Sequence, residues 1–202
     1  MKQLLLSLTL FSLLLTISIQ SNAKAKQWHE GTVVFHSGDT INCKLRFTRI
    51  ASEGLIQVLQ NHQIRIFTVK DVSSFSYFDK KQNRTRTFFS LPIQPDLVSR
   101  KHEVFLEHIY SSDKFCILNY KTLGYKETSL FNPFQKKRVV NKPYVFSNAT
   151  GDILPMSREN VLLLMQEKKK NIISYLNTNN IKLKSLPDFI DLLEYHQSIT
   201  QM

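Results

Sequence analysis

Residues Gly31–Phe47 read Gly-Thr-Val-Val-Phe-His-Ser-Gly-Asp-Thr-Ile-Asn-Cys-Lys-Leu-Arg-Phe. An apolar run leads into His36-Ser37-Gly38-Asp39, and a strictly alternating stretch follows. Ile41, Cys43, Leu45 and Phe47 fall on one side of an extended chain; Thr40, Asn42, Lys44 and Arg46 fall on the other. A period of two puts successive side chains on opposite faces of a sheet. The stretch therefore predicts a β-hairpin with one face on a core and one in water. Gly38 is the residue for the positive φ that so tight a turn demands.

The same period continues downstream. Leu55–Leu59 and Ile64–Thr68 flank the turn Gln60-Asn61-His62-Gln63, and Val69–Val72 reads as a short turn or a single helical loop. Ser74–Phe78 and Arg84–Leu91 flank Asp79–Asn83; on the latter strand Thr85, Thr87 and Phe89 lie opposite Arg84, Arg86 and Phe88. Pro92 and Pro95 predict the end of that unit and a surface connection over Leu91–Val98, because proline donates no amide hydrogen. Glu103–Tyr110 and Lys114–Lys121 follow, then an irregular Thr122–Lys137, then a hairpin of Pro143–Phe146 with Ile153–Met156. Short strands joined by polar turns imply an antiparallel meander that curls on itself.

From Ser157 the period becomes helical. Ser157 reads as a cap, and Val161, Leu164, Met165, Ile172, Tyr175 and Leu176 recur at helical spacing. Lys168-Lys169-Lys170 either rides the solvent side or breaks the segment in two. Ser185 caps a last helix with Pro187 in its first turn and a predicted buried stripe of Leu186, Phe189, Ile190 and Leu193. The fold class expected is α+β: an antiparallel β-roll or partly open β-barrel over residues 26–156, then a C-terminal helical segment over 157–202 packed on the sheet.

Residues 1–25 read as a signal peptide. Lys2 opens it, Leu4–Ile19 is almost unbroken apolar sequence, and Ser21–Ala25 offers small residues for cleavage after Ala23 or Ala25. An uncleaved membrane anchor is the competing reading, though the run is shorter than the ~20 residues a spanning helix needs. The expected location is extracytoplasmic: periplasm, outer envelope or secreted. Cys43 and Cys116 both fall in predicted strands; in an oxidising compartment they could bridge, and otherwise they pack as small apolar groups.

The chain of 202 residues has a formal charge of +11 with 42% apolar residues, which excludes a disordered chain. A basic balance attracts anionic partners such as an anionic polysaccharide or lipid headgroups, with a protein partner as a further expectation; the alternative is that it merely keeps an exported protein soluble. Lys and Arg are scattered rather than banked, which disfavours nucleic acid. Dinucleotide, phosphate-loop, serine-elbow and His-Glu-x-x-His motifs are all lacking, and only 5 glycines are present. No cofactor is expected. His102 and His108 share one side of their strand, with Glu103 and Glu107 on the other, a poor arrangement for one metal ion. Asp39 and Asp152 have the residue type of a glycosidase pair, yet each follows a turn glycine where Asp bonds its own backbone. The candidate ligand-binding residues are Tyr125, Phe131, Phe134, Lys136, Lys137 and Arg138, because aromatics interleaved with cations can stack on a sugar while holding an anion. The alternative is a long loop whose aromatics plug the end of the barrel.

Trp28, Gly31–Phe35, Gly38-Asp39, Lys70–Tyr77, the Tyr144–Met156 hairpin and Leu192–Tyr195 together resemble a group of exported β-rich proteins common in Bacteroidota. That resemblance implies an exported β-rich architecture and carries over no active-site residue. The function expected is a non-enzymatic binding or structural protein of the cell envelope. The rival is a hydrolase whose turn carboxylates or histidines converge only in three dimensions.

Overall fold

The computed structural model describes residues 27–47, 54–94, 100–124 and 138–201. Ten strands form one antiparallel sheet: β1 (His29–Phe35), β2 (Thr40–Phe47), β3 (Leu55–Gln60), β4 (Gln63–Thr68), β5 (Val72–Asp79), β6 (Arg84–Ile93), β7 (His102–Ser111), β8 (Phe115–Gly124), β9 (Arg138–Ser147) and β10 (Ile153–Pro155). Their order is β10-β9-β8-β7-β6-β5-β1-β2-β3-β4. The sheet is open, with β4 and β10 as its edges, so the fold is β-rich α+β and not a closed barrel.

The opening hairpin forms as its alternation dictates. Val33 pairs with Ile41 and Gly31 with Cys43, while Gly38 turns at φ +92°. Gly31 is fixed by crowding: a Cβ there would lie 2.1 Å from the Ser76 carbonyl oxygen and 2.9 Å from Leu45. β1 is thus pressed between β2 and β5, and only hydrogen fits.

β4 and β5 are separated in the sheet by three strands, yet only Val69–Asp71 joins them in sequence. Three residues bridge little more than ~14 Å. The first half must therefore curl until the end of β4 returns to the start of β5. His36 N–H donates to the Asp71 carbonyl at 3.1 Å, and Ser90 Oγ donates to the Val69 carbonyl at 2.9 Å, closing that corner. Inside lie Val33, Leu45, Ile56, Val58, Phe75, Phe88 and Phe105. Phe47 reaches across to Phe75, Phe88 and Phe105, with ring centroids 5.0–6.1 Å apart.

A second cluster, Ile93, Val104, Leu106, Leu118, Tyr120 and Tyr144, occupies the opposite face of β6–β9. The first face of β8–β10 is covered by helices instead: α1 (Arg158–Leu164), a 3-10 turn (Gln166–Lys168), α2 (Lys169–Thr178) and α3 (Leu186–Thr200). Ser157 and Ser185 cap α1 and α3 by accepting from Asn160 N–H and Asp188 N–H. Val161, Met165, Ile172, Leu176, Phe189, Leu192 and Leu193 pack onto Phe115, Ile117 and Val145.

Two expectations need correction, at Pro92 and on the last helix. Pro92 does not end its strand: β6 runs to Ile93, with Pro92 opposite Glu103. β5 stops pairing at Phe89, and beyond it β6 has a ladder partner, β7, on one side only among the described residues, so a missing N–H is tolerated there. Of the two readings of Lys168-Lys169-Lys170, the structure has the break: α1 ends at Leu164 and α2 begins at Lys169. The α3 stripe is Phe189, Leu192, Leu193 and His196, while Leu186 stands exposed at the first turn. The expected leader and five of the six candidate ligand residues (Tyr125, Phe131, Phe134, Lys136 and Lys137) lie outside the described residues; Arg138 opens β9 opposite Gly124.

Candidate functional site

Side chains capable of chemistry gather in three places. The first lies on the inner face of β5–β8. Tyr77 pairs with Arg86, Asp79 with Arg84, Phe88 with Glu107 and Glu107 with Asn119, so these share one side of the sheet. Glu107 is 1% exposed. Arg86 grips it with two bonds, Nε to Oε1 at 2.8 Å and Nη2 to Oε2 at 2.6 Å. Lys121 Nζ donates to Oε2 at 2.7 Å and Arg84 Nη2 to Oε1 at 3.0 Å. Arg86 also donates to Tyr77 Oη at 3.0 Å and lies 3.5 Å from Asp79 Oδ2. Burial alone would raise the Glu107 carboxyl, but the bonds and charges of Arg86 and Lys121 outweigh it and hold it below the usual range. A carboxylate with four donors and a lowered pKa is ionised at neutral pH and has no proton to give. This cluster is structural.

The second place is the β7–β8 hairpin end. His108 Nε2 lies 2.8 Å from Ser111 Oγ, Ser111 Oγ lies 3.0 Å from Cys116 Sγ, and Cys116 Sγ donates to Asn148 Oδ1 at 3.5 Å. Burial pushes His108 down, keeping the imidazole neutral, as a base requires. Here a histidine meets a hydroxyl three residues along the same strand, where the register shift between His108 and Tyr110 brings the two to one side. Acyl transfer also needs donors aimed at the developing oxyanion. The adjacent amides are already engaged: Ser112 N–H donates to the Phe115 carbonyl at 2.8 Å and Asn148 N–H to the Lys114 carbonyl at 2.8 Å. Neither of these two amides is free to serve as such a donor.

Asp39 and Asp152 do not form a pair. Asp39 accepts from Ser37 Oγ at 2.8 Å in the β1–β2 turn, and Asp152 accepts from Thr150 Oγ1 at 2.7 Å in the β9–β10 turn. Cys43 and Cys116 are free thiols, and burial raises the pKa of Cys43. Among the described residues no three His, Cys, Asp or Glu side chains converge as a metal site, and no helix is long and apolar enough to cross a membrane.

The third place is a cleft of about 550 Å³ between the β8–β10 end of the sheet and the helices. Phe115, Leu154, Leu163, Leu164 and Met165 supply its apolar wall, and Lys114, Asp152 and Glu167 stand at its rim. His196 is its one buried imidazole, 5% exposed and packed at 5.4 Å against the Phe115 ring. Its ring nitrogens bond to no described residue. His196 and Lys114 also line a second hole of about 30 Å³ beside Ser112, Thr200 and Gln201. Burial, then the positive charge of Lys114, pushes the His196 pKa down, so the ring is neutral near pH 7. A neutral imidazole in an apolar wall can accept or donate one hydrogen bond to a guest.

Sequence reasoning missed both the Glu107 cluster and the cleft. The first had a signal: Arg86 shares a strand face with Phe88, and a cation between core aromatics must find a buried anion. The second had none, because its walls come from two turns and two helices far apart in sequence. The chain matches no protein-family model, no curated protein and no solved structure.

Proposed function

We propose that this is an exported, non-enzymatic binding protein of the cell envelope that holds an amphipathic small molecule in the cleft between β8–β10 and the helices. The observation that carries this reading is the cleft of about 550 Å³, in which an apolar wall and the buried His196 lie below a polar rim. Ligand sites commonly measure ~300–1,000 Å³ and combine apolar linings with few polar groups. The rim sets Asp152 and Glu167 against Lys114 alone, which favours a neutral or zwitterionic head over an anionic one. The basic charge of the chain then acts at longer range, drawing the protein toward anionic envelope surfaces.

The test uses dodecylphosphocholine below its micelle concentration, titrated into the mature protein by calorimetry. Saturable binding is expected. Leu163→Glu should weaken it at least ~10-fold, since burying a leucine is worth ~1.5–3 kcal/mol and Leu163 is half exposed at the mouth. His196→Phe should weaken it while keeping the ring packing. Dodecyl sulfate at equal concentration should bind less well. No saturable binding, or equal binding by both variants, overturns the reading.

A further inference from the structure

The two edges of the sheet are built differently. β10 has three residues, ends in Pro155, and its last carbonyl accepts from Asn160 Nδ2 at 2.8 Å. Shortness, proline and a covering side chain are the usual means of blunting an edge. β4 has none of these three, and its single charge is Arg65. It runs six residues, Gln63-Ile64-Arg65-Ile66-Phe67-Thr68, in an unbroken register with β3. Ile64 and Ile66 are 58% and 59% exposed on the face away from the core, beside the exposed Leu55.

The backbone shows which groups lie open. Val69 N–H donates to the Gly54 carbonyl at 3.1 Å, which fixes the alternation of the β3–β4 ladder. Phe67, Arg65 and Gln63 therefore bond inward to β3, and Thr68, Ile66 and Ile64 point outward. The turn already engages Thr68: its N–H donates to Asp71 Oδ2 at 2.8 Å and its carbonyl accepts from Asp71 N–H at 3.1 Å. What remains is the N–H and C=O of Ile64 and Ile66, each bearing an exposed isoleucine.

We infer that β4 pairs antiparallel with β4 of a second copy of this chain, about a two-fold axis at Arg65. A two-fold axis perpendicular to the sheet keeps each face on its own side, so residues 64 and 66 can oppose only 64, 66 or 68. Centring on Arg65 sets Ile64 opposite the second copy's Ile66, and the reverse, which uses all four open backbone groups of each strand. It also gathers four isoleucines on one face. Centring on Ile66 would need Thr68, which Asp71 occupies; centring on Ile64 would draw on His62 in the turn. The favoured register has one flaw: the two Arg65 side chains stand opposite each other, and like charges directly across a ladder repel. Arg65 thereby limits an association that the rest of the strand supports. So short a seam buries less than the ~1,200 Å² of a standard interface, and the dimer is weak.

Sedimentation of the mature protein from ~1 to ~300 μM tests this in its own terms. The wild type should dimerise with a dissociation constant in the range of tens of micromolar, and more tightly at high salt as the arginine repulsion is screened. Arg65→Thr should tighten the dimer about 3–10-fold, and Ile66→Lys should abolish it with the fold unchanged by circular dichroism. In exchange measurements the Ile64 and Ile66 amides should gain protection as concentration rises. A wild type monomeric throughout the range overturns the inference. So does an Arg65→Thr variant that dimerises no better, or capture of a foreign strand that leaves these amides unprotected at high concentration.

Discussion

Glu107→Gln is the substitution whose consequence follows most directly from the structure. It keeps the shape of a side chain that is 1% exposed and removes only its charge. Arg86 is left 10% exposed and loses the carboxylate that takes two of its bonds; Lys121 and Arg84, at 25% and 45%, can turn to water. Breaking a buried pair from one side costs ~3–5 kcal/mol. The exposure of two of the three cations places the expected loss near the lower end, ~3 kcal/mol. For a chain of this size that corresponds to a fall in Tm of ~6–12 °C. Acid supplies a second reading. The folded Glu107 pKa is depressed, so its stabilisation is complete above the unfolded carboxylate range and disappears as pH falls through the lower folded value. The wild type and the variant should therefore converge as pH falls below ~4. Thermal unfolding of both from pH 7 to pH 3 measures the gap. A gap below ~0.5 kcal/mol at pH 7, or one that does not close in acid, would refute the account of this cluster. Replacing Arg86 with Met and Glu107 with Leu together should cost less than the two single changes summed, because neither then strands a charge.

Gly31→Ala should lose more than ~3 kcal/mol by urea unfolding or fail to fold, because the added carbon meets a backbone oxygen of β5 that cannot move without displacing the sheet. Gly38→Asn is the control: nothing lies within 4 Å of its Cβ, and asparagine tolerates positive φ, so a loss within ~1 kcal/mol is expected. His196 gives a pH dependence of the opposite residue type but the same sign. Its folded pKa lies below the unfolded value, so stability is complete above pH ~6.5 and is lost as pH falls through the folded value. Facing it are Lys114 and Lys168, which disfavour the imidazolium, and Glu167, which favours it. His196→Phe should flatten the stability profile between pH 7.5 and pH 5, and a profile unchanged by that substitution would show the ring to be freely hydrated.

The hairpins were legible because alternation and turn residues agree locally. Ile41, Cys43, Leu45 and Phe47 share a face as their spacing requires, and Ser157 and Ser185 cap the helices they precede. What failed was whatever depends on a neighbour that sequence does not show. Pro92 reads as a strand end unless one knows that β5 has already stopped beside it. Leu186 reads as core by helical spacing, but the cap turns the first residue of α3 toward solvent. Asp71 reads as an ordinary turn aspartate, and its exposed side chain does bond Thr68 locally; what sequence does not show is that its carbonyl accepts from His36 N–H across the β4–β5 corner.

The cleft follows from the same topology. In the first half the inner face is covered by the sheet itself, because Val69–Asp71 is too short to permit anything but a tight curl. Beyond β6 the sheet buries its other face, in the cluster of Val104, Leu106, Leu118 and Tyr144. Phe115, Ile117 and Val145 on the first face are then left without strands above them, and α1–α3 take that place. Glu107 and its three cations lie between the two regimes, on the face shared by Phe88 and Ile117. Helices are rods laid on a twisted surface, and they do not fill the corner where the β7–β8 and β9–β10 turns rise past the sheet. The space left there has Lys114 and Asp152 from those turns, Glu167 from the 3-10 break and His196 from α3. An apolar wall with a neutral imidazole is therefore what this order of strands and helices produces at that corner, and a guest bound there would touch both layers at once.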